Sequence, residues 1–337
     1  MNFKERVRRK NEFDASLVYG TRKFNLLTKQ DQHLGYREKH DSQWLNSQTN
    51  LIYDKFAEER NCPLCGTSNF HTLFVKCGFP HLKCNVCGLT YVNPILNEAE
   101  SMKLCRSEVS YVDVLKSRYQ VKMQTLEARY ILDILRPYFK SENKISVCDI
   151  GCGTGILLDE AKKKGYYAFA IEPNTRHHKS LEDKGIEYRG VFFPLKHDLG
   201  REFDCVFLLQ VLEHMRNPLE VLLEAKKVLK KSGLIYIATP NIDALVNRLM
   251  HKNAATFGGH THIQFFNLRT LSMLLEKAGF KVKDSDTIIT QMGTIKNYLS
   301  FKEPNFGEDP DRLEFITPEL IYRNYLGGRL HLVGELQ

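Results

Sequence analysis

Two acidic residues and three glycines in one short stretch have the types and spacing to hold a ligand. In VCDIGCGTGILLDEAKKKGYYAFAIEPN (147–174), Asp149 stands near the end of a short apolar run. Gly151, Gly153 and Gly155 follow, with Thr154 between the last two, and a helical pattern comes next. A second apolar run then ends in Glu172 and Pro173. Glycines at a strand-to-helix turn let the backbone bend sharply and approach a ligand closely. The spacing is G-x-G-x-G. It is neither the G-x-G-x-x-G of dinucleotide folds nor a P-loop, because no Gly-Lys-Ser/Thr follows. A carboxylate as close to the turn as Asp149 would repel a phosphate and suits a cationic ligand end. A strand-end acid beside such a turn, here Glu172, can accept both hydroxyls of a ribose.

Together the two carboxylates suit a nucleoside that carries an amino acid. S-adenosylmethionine meets both demands, with its ribose on Glu172 and its ammonium end towards Asp149 through backbone or water. A second set of residues points to metal. Cys62, Cys65, Cys84 and Cys87 form C-x2-C-x18-C-x2-C, and each pair is followed by a glycine, Gly66 or Gly88. Two such knuckles can bring four thiolates into a tetrahedron around Zn²⁺. A closed four-thiolate site has no open position, so the zinc is expected to be structural and to replace a core that the segment is too short to build. A redox dithiol is the other reading, and two matched knuckles argue against it. Cys77 and His81, between the pairs, read as packing or surface residues.

The elements that must position these groups follow from the rest of the chain. Its 337 residues are enough for two domains, and 42% hydrophobic with 26% charged residues is a soluble, globular composition. No apolar run approaches the roughly 18 residues of a membrane span. The basic start, MNFKERVRRKNEF, lacks the apolar region of a secretory signal, so a cytoplasmic protein is expected. A net charge of +8 permits nucleic acid, anionic lipid or phosphorylated partners and selects none. The sequence divides into an N-terminal arm or helix (1–60), a zinc ribbon (61–93), linking helices (94–140) and an α/β domain (141–337). Within the first, HDSQWLNSQTNLIYDKFAEER patterns as one amphipathic helix. His177 and His178, on a polar helical stretch, read as solvated. From Ile145 onward strands and helices alternate, including NPLEVLLEAKKVLKKSG as a helix, which implies a parallel sheet with helices on both faces. An insertion near 291–325, rich in aromatics, acids and proline, reads as a lid or a contact between copies. The oligomeric state is not readable.

From about residue 120 to 337 the chain resembles the class I S-adenosylmethionine-dependent methyltransferases. VCDIGCGTG resembles their first motif and AIEPN their ribose-binding acid. FDCVFLLQVLEHMRNPLEVLLEAKKVLKKSGLIYIATPN resembles their fourth through fifth strands. Together with HTHIQFFNLRTLSMLLEKAGF, the closest resemblance is to the ubiquinone-biosynthesis-like branch, which includes many sugar methyltransferases. The resemblance implies a Rossmann-like seven-stranded sheet whose last strand is antiparallel. It also implies an adenine site near Val191–Pro194 and Gln210 at the methionine end of the cofactor. Some members bind a metal through Glu-x-x-Glu-His here. This chain has Gln210-Val-Leu-Glu213-His214, with glutamine in the first place.

Methyl transfer to oxygen or carbon requires a proton to leave the acceptor, and histidine suits that task near neutrality. The candidates are His260 and His262 in FGGHTHIQFF, and His214 with Glu213 in LEHM. One of the histidines holding the loop through a backbone bond is the plainer alternative. Three functions follow as expectations. The first is methylation of a sugar-type acceptor, a nucleotide sugar or a surface-polysaccharide precursor. The second is methylation of ribosomal or transfer RNA, with the ribbon and basic N-terminus gripping the nucleic acid. The third is a non-catalytic zinc-binding module that senses the cofactor.

Overall fold

The structure, a computed structural model, describes residues 1–17, 42–107, 117–139, 144–195, 199–299 and 315–337. Helix α1 (Phe3–Leu17) opens the chain. Its Lys10 is fully buried, donating to Asp286 Oδ1 at 2.7 Å and to the Thr287 carbonyl at 3.1 Å. Residues 42–60 do not form the expected amphipathic helix. Ser42–Trp44 and Asp54–Phe56 are single 3-10 turns, and Leu45 and Ile52 bridge one another. Asn46 explains the break: its side chain accepts from the Gln48 N–H at 2.8 Å and the Thr49 N–H at 3.3 Å, a local turn that competes with helix. Part of the predicted arm, and of the predicted insertion, lies outside the described residues.

The cysteine segment is a small sheet. A short strand β1 (Ala57–Glu58) precedes it; β2 (Phe70–Lys76), β3 (Phe79–Cys84) and β4 (Thr90–Val92) form it; and β5 (Ile95–Leu96) returns to pair with β1. Helices α2 (Glu98–Ser107) and α3 (Arg118–Leu135) follow. Ser117 caps α3 by accepting the Gln120 N–H.

The remainder alternates as expected: β6 (Ser146–Ile150), α4 (Ile156–Lys163), β7 (Tyr167–Ile171), α5 (Thr175–Asp183), β8 (Glu187–Arg189), β9 (Phe203–Leu209), α6 (Pro218–Lys227) and β10 (Leu229–Pro240). Helix α7 (Leu245–Met250), β11 (Gln264–Phe265), α8 (Leu268–Lys277), β12 (Phe280–Ile288), α9 (Met292–Leu299), α10 (Pro318–Arg323) and β13 (Arg329–Leu336) complete the chain. Seven strands form one sheet in the order β12-β13-β10-β9-β6-β7-β8, with β13 antiparallel to both neighbours. This is the Rossmann-like sheet that the sequence resemblance implies.

Two details differ from the sequence reading. Strand β8 has three residues, too few to show a period. The helix read over 217–233 ends at Lys227, and Leu229 already pairs with Phe203. Ser232 at φ 58° and Gly233, whose added Cβ would lie 2.8 Å from the Lys230 carbonyl, show a tight turn where the pattern suggested more helix.

Alternate residues of the strands feed opposite faces. Cys148, Ile150, Val206, Leu208 and Ile235 pack with α6 and α8, while Val147, Cys205, Phe207 and Tyr236 pack with α3 and α4. The cluster under α6 and α8 also takes in Leu64, Leu82, Leu89 and Tyr91, so the cysteine segment shares its core with the large sheet. Strand β11 pairs with β4 and gives the small sheet its outer strand from a residue pair far along the chain. No described helix is long and apolar enough to cross a membrane.

Candidate active site

Strand β6 delivers Asp149 and the glycine turn to the carboxyl edge of the sheet. Gly151, Gly153 and Gly155 all adopt positive φ, at 76°, 55° and 74°. At Gly155 an added Cβ would lie 2.6 Å from Leu181 Cδ2. Left-handed backbone costs a non-glycine residue about 1–2 kcal/mol and overpacking about 1–3 kcal/mol. Gly155→Ala is therefore expected to destabilise the protein by about 2–5 kcal/mol, read from the denaturant midpoint. At Gly153 an added Cβ would meet nothing within 4 Å, so this face of the turn is open to a ligand.

Glu172 is tied to the turn. Its Oε2 accepts the Gly153 N–H and its Oε1 the Asn174 N–H, both at 2.8 Å. Burial raises its pKa against these two bonds. Asp149 is 2% exposed and its Oδ1 has no hydrogen-bond partner. Burial, and then the charge of Glu172, push Asp149 well above the usual carboxylate range. Gln210, just past β9, stands at φ 57° with its N–H on the Ala238 carbonyl at 2.7 Å. Its Nε2 is buried without a partner. An unpartnered acceptor and an unpartnered donor at one strand edge suit the ammonium and carboxylate of an amino-acid ligand end.

Thr154 is buried and its carbonyl accepts from Ser180 Oγ at 3.0 Å, while Pro173 is half-buried beside Glu172. Val191 and Phe192, after β8, leave 43% and 45% of their surface exposed. The two histidines of α5 are not solvated as the polar pattern suggested. His177 is 5% exposed, and His178 donates from Nε2 to the Glu172 carbonyl at 2.8 Å with its ring against Tyr188.

A second cluster forms past β9 and before β11. Glu213 is 1% exposed; Thr239 Oγ1 donates to its Oε2 at 3.0 Å, and its Oε1 lies 4.0 Å from His214 Nε2. Burial raises the Glu213 pKa despite His214. The Nδ1 of His214 meets the Thr261 carbonyl at 2.9 Å, and that of His262 meets the Thr256 carbonyl at 3.1 Å. A carbonyl accepts only, so each Nδ1 carries the hydrogen, and each neutral ring keeps its lone pair on Nε2. The rings are 5.0 Å apart, and one ligand-type atom from each of Glu213, His214 and His262 lies within 4.8 Å of the others. This set can move a proton or take up a cation. His260 is placed differently: it is 4% exposed, with its ring near Trp44 and Phe79.

The four cysteines converge. Cys62 and Cys87 Sγ are 3.5 Å apart, as are Cys65 and Cys84, and all four sulfurs lie within 4.8 Å of one another. Zn–S bonds of about 2.3 Å in a tetrahedron put sulfurs about 3.8 Å apart, so the set has the size of a zinc site. Two matching turns hold it: the Gly66 N–H bonds to the Cys62 carbonyl and the Gly88 N–H to the Cys84 carbonyl. His81 packs instead of ligating; it is fully buried against Phe74, Phe257 and Phe265, and burial pushes its pKa down to about 4.

The sequence reading passed over Arg60 and Gln264, which carry no motif. Gln264 Nε2 donates to the Leu212 carbonyl at 2.5 Å and the Met215 carbonyl at 2.7 Å, fastening β11 to the Glu213–His214 turn. Only the unusual polar residue in an apolar run, IQFF, could have pointed to it.

A family profile described as a methyltransferase domain matches residues 119–285. The ubiquinone biosynthesis O-methyltransferase of Dinoroseobacter shibae is 27% identical over 177 residues, 49% of this chain and 70% of that protein. The ubiquinone biosynthesis O-methyltransferase of Pseudomonas syringae pv. tomato is 24% identical over 196 residues, 53% of this chain and 84% of that protein. A solved SAM-dependent methyltransferase from Archaeoglobus fulgidus is 21% identical with a TM-score of 0.44, covering 67% of this chain and 99% of its own. Residues 119–285 are thus a methyltransferase domain, and the chain is an S-adenosylmethionine-dependent methyltransferase.

Proposed function

We propose that this enzyme methylates a sugar-type acceptor, a nucleotide sugar or a surface-polysaccharide precursor. The observation that carries the need for proton removal is the His214–His262 pair, two rings with Nε2 lone pairs beside the buried Glu213. The sugar class itself rests on the sequence resemblance.

S-adenosylmethionine would supply the methyl group from its sulfonium. Glu172 would take the ribose hydroxyls on lone pairs that the Gly153 and Asn174 N–H groups leave open. Asp149 and Gln210 would meet the ammonium and carboxylate ends, and Gly151 and Gly155 would shape the turn, with Thr154 and Pro173 flanking. Val191 and Phe192 would cover the adenine. His214 or His262 would accept the acceptor's proton at Nε2, with Glu213 holding the charge that develops on the ring. His260 would brace the loop. Cys62, Cys65, Cys84 and Cys87 would hold a structural Zn²⁺.

The RNA reading loses its main support. Among the basic residues of α1, Arg6 pairs with Asp284, Arg8 with Glu5 and Glu12, Arg9 with Asp133 and Lys10 with Asp286. Side chains committed to intramolecular acids are poor phosphate contacts.

The test is incubation of the enzyme and methyl-labelled S-adenosylmethionine with fractionated cell extract. Label in the small-molecule or glycan fraction supports the proposal; label in RNA overturns it. With the labelled fraction as acceptor, His214→Ala and His262→Ala are expected to lower kcat at saturating cofactor. The loss for the ring that serves as base should be about 10²- to 10⁴-fold. Unchanged kcat in both variants would remove the general base from the mechanism.

A further inference from the structure

We infer that Arg60 is a positioning residue that fixes the two histidine-bearing turns to the cysteine module, so that the module sets the geometry of the acceptor side of the site. The inference rests on the reading of His214 and His262 as proton acceptors.

The guanidinium donates to three backbone carbonyls from three separate parts of the chain. Its Nε meets Val92 at 3.2 Å, one terminal nitrogen meets Arg216 at 3.3 Å, and the other meets Ile263 at 2.5 Å. Val92 ends β4 of the module. Arg216 lies two residues after His214, and Ile263 follows His262. Its planar fork reaches all three, which a lysine ammonium on a flexible stem cannot reproduce.

The neighbouring acids do not pair with it. Glu58 bonds Arg216 at 2.7 Å, and Glu59 accepts from Asn93 at 2.7 Å. The face of Tyr91 covers the guanidinium at 5.7 Å. Arg60 is half-buried, so holding its charge there has a cost that fully exposed arginines do not bear. Three carbonyls satisfied at once are the return on that cost.

The same joint is fastened elsewhere. The Val92 N–H bonds to the Ile263 carbonyl at 2.9 Å, and the Ile263 N–H bonds to the Glu213 carbonyl at 2.9 Å. The Ile263 carbonyl thus receives both the Val92 N–H and Arg60, and Ile263 links the module to the Glu213–His214 turn through its own amide. His214 depends on this arrangement for its ring orientation, because its Nδ1 partner is the Thr261 carbonyl two residues before Ile263.

The experiment compares wild type, Arg60→Lys and Arg60→Ala by three measurements. These are bound zinc per chain, S-adenosylhomocysteine affinity by calorimetry, and nitrogen-15 NMR of labelled histidines, which reports which ring nitrogen carries the proton. In the wild type His214 and His262 should show protonated Nδ1. In Arg60→Lys, zinc content should be unchanged and S-adenosylhomocysteine affinity should stay within about twofold. The His214 signal should move towards a mixture of tautomers, and turnover on the labelled acceptor fraction should fall about tenfold, with the lysine variant less affected than the alanine one. Histidine signals and turnover that match the wild type in Arg60→Lys and Arg60→Ala would overturn the inference. So would parallel loss of zinc, cofactor affinity and turnover in Arg60→Lys, which would make Arg60 a general support of the fold. Wild-type turnover in both His214→Ala and His262→Ala would instead strike the proton-acceptor reading itself, and failure of the wild type to bind S-adenosylhomocysteine would strike the cofactor assignment.

Discussion

Cys87→Ser, or chelation of the wild-type protein, is expected to unfold the 61–92 segment and lower turnover by more than about 100-fold while the glycine turn still binds cofactor. The segment's inner face packs on the large sheet, but its outer part, β2, has little else to hold it. Strand β2 is the edge strand opposite β11, with Phe70, Leu73 and Val75 exposed at 38%, 42% and 45%. A four-thiolate zinc site contributes about 10–16 kcal/mol of apparent binding free energy in small zinc modules. The damage should reach the chemistry because β11 hangs on β4 and leads directly from the His260–His262 loop. Elemental analysis should find one zinc per chain in the wild type and much less in Cys87→Ser. Limited proteolysis should cut the variant within 61–92, and calorimetry should show S-adenosylhomocysteine still binding. Full zinc occupancy and full turnover in Cys87→Ser would show that the cluster is not a closed tetrathiolate site.

The parts that were legible in the sequence are those encoded by neighbours. Asp149, the glycines and Glu172 lie within one strand–turn–helix–strand unit, where spacing and order alone bring them to one edge. The cysteine knuckles were legible for the same reason, since each pair is a local turn closed by its own glycine. Residues 42–60 were misread because apolar spacing suits a helix, while Asn46, whose side chain accepts from the backbone N–H groups of Gln48 and Thr49, decides the local structure. The convergence of Glu213, His214 and His262 was not legible as geometry. It depends on Gln264 and the backbone of 261–263 crossing to the β9 turn, contacts made across about fifty residues of chain that leave no period or motif behind. Arg60 was silent for a related reason: its partners are carbonyls, and every residue has one.

Glu172→Ala should weaken cofactor binding by about 10²- to 10⁴-fold. Hydrogen bonds to a charged group contribute about 1.5–3 kcal/mol each, and a ribose offers two hydroxyls to this carboxylate. The substitution also strands the Gly153 and Asn174 N–H groups and so loosens the turn. Glu172→Gln separates the two effects, because its one acceptor oxygen can keep one of these bonds. The pH dependence supplies an independent check. Asp149 and Glu172 are both held above their ordinary values of 3.8 and 4.5, chiefly by burial and, for Asp149, next by the charge of Glu172. A folded-state pKa raised above the unfolded one means that the folded protein holds the proton longer. The stability this contributes is present below the unfolded values and is lost as pH rises through the folded ones. The ligand-free protein should therefore lose stability from about pH 4 upward on account of this pair. A ligand ammonium placed by Asp149 stabilises the ionised form and opposes that loss, so the rise in Tm produced by saturating S-adenosylhomocysteine should be larger at about pH 8 than at about pH 5. Glu172→Gln removes one charge of the pair. It should make the ligand-free protein less sensitive to pH and reduce the pH dependence of the ligand's effect. A ligand-induced Tm shift that is flat with pH in the wild type would mean that the cationic end of the ligand does not lie near Asp149. The affinity loss in Glu172→Ala would still stand or fall on the ribose contact alone.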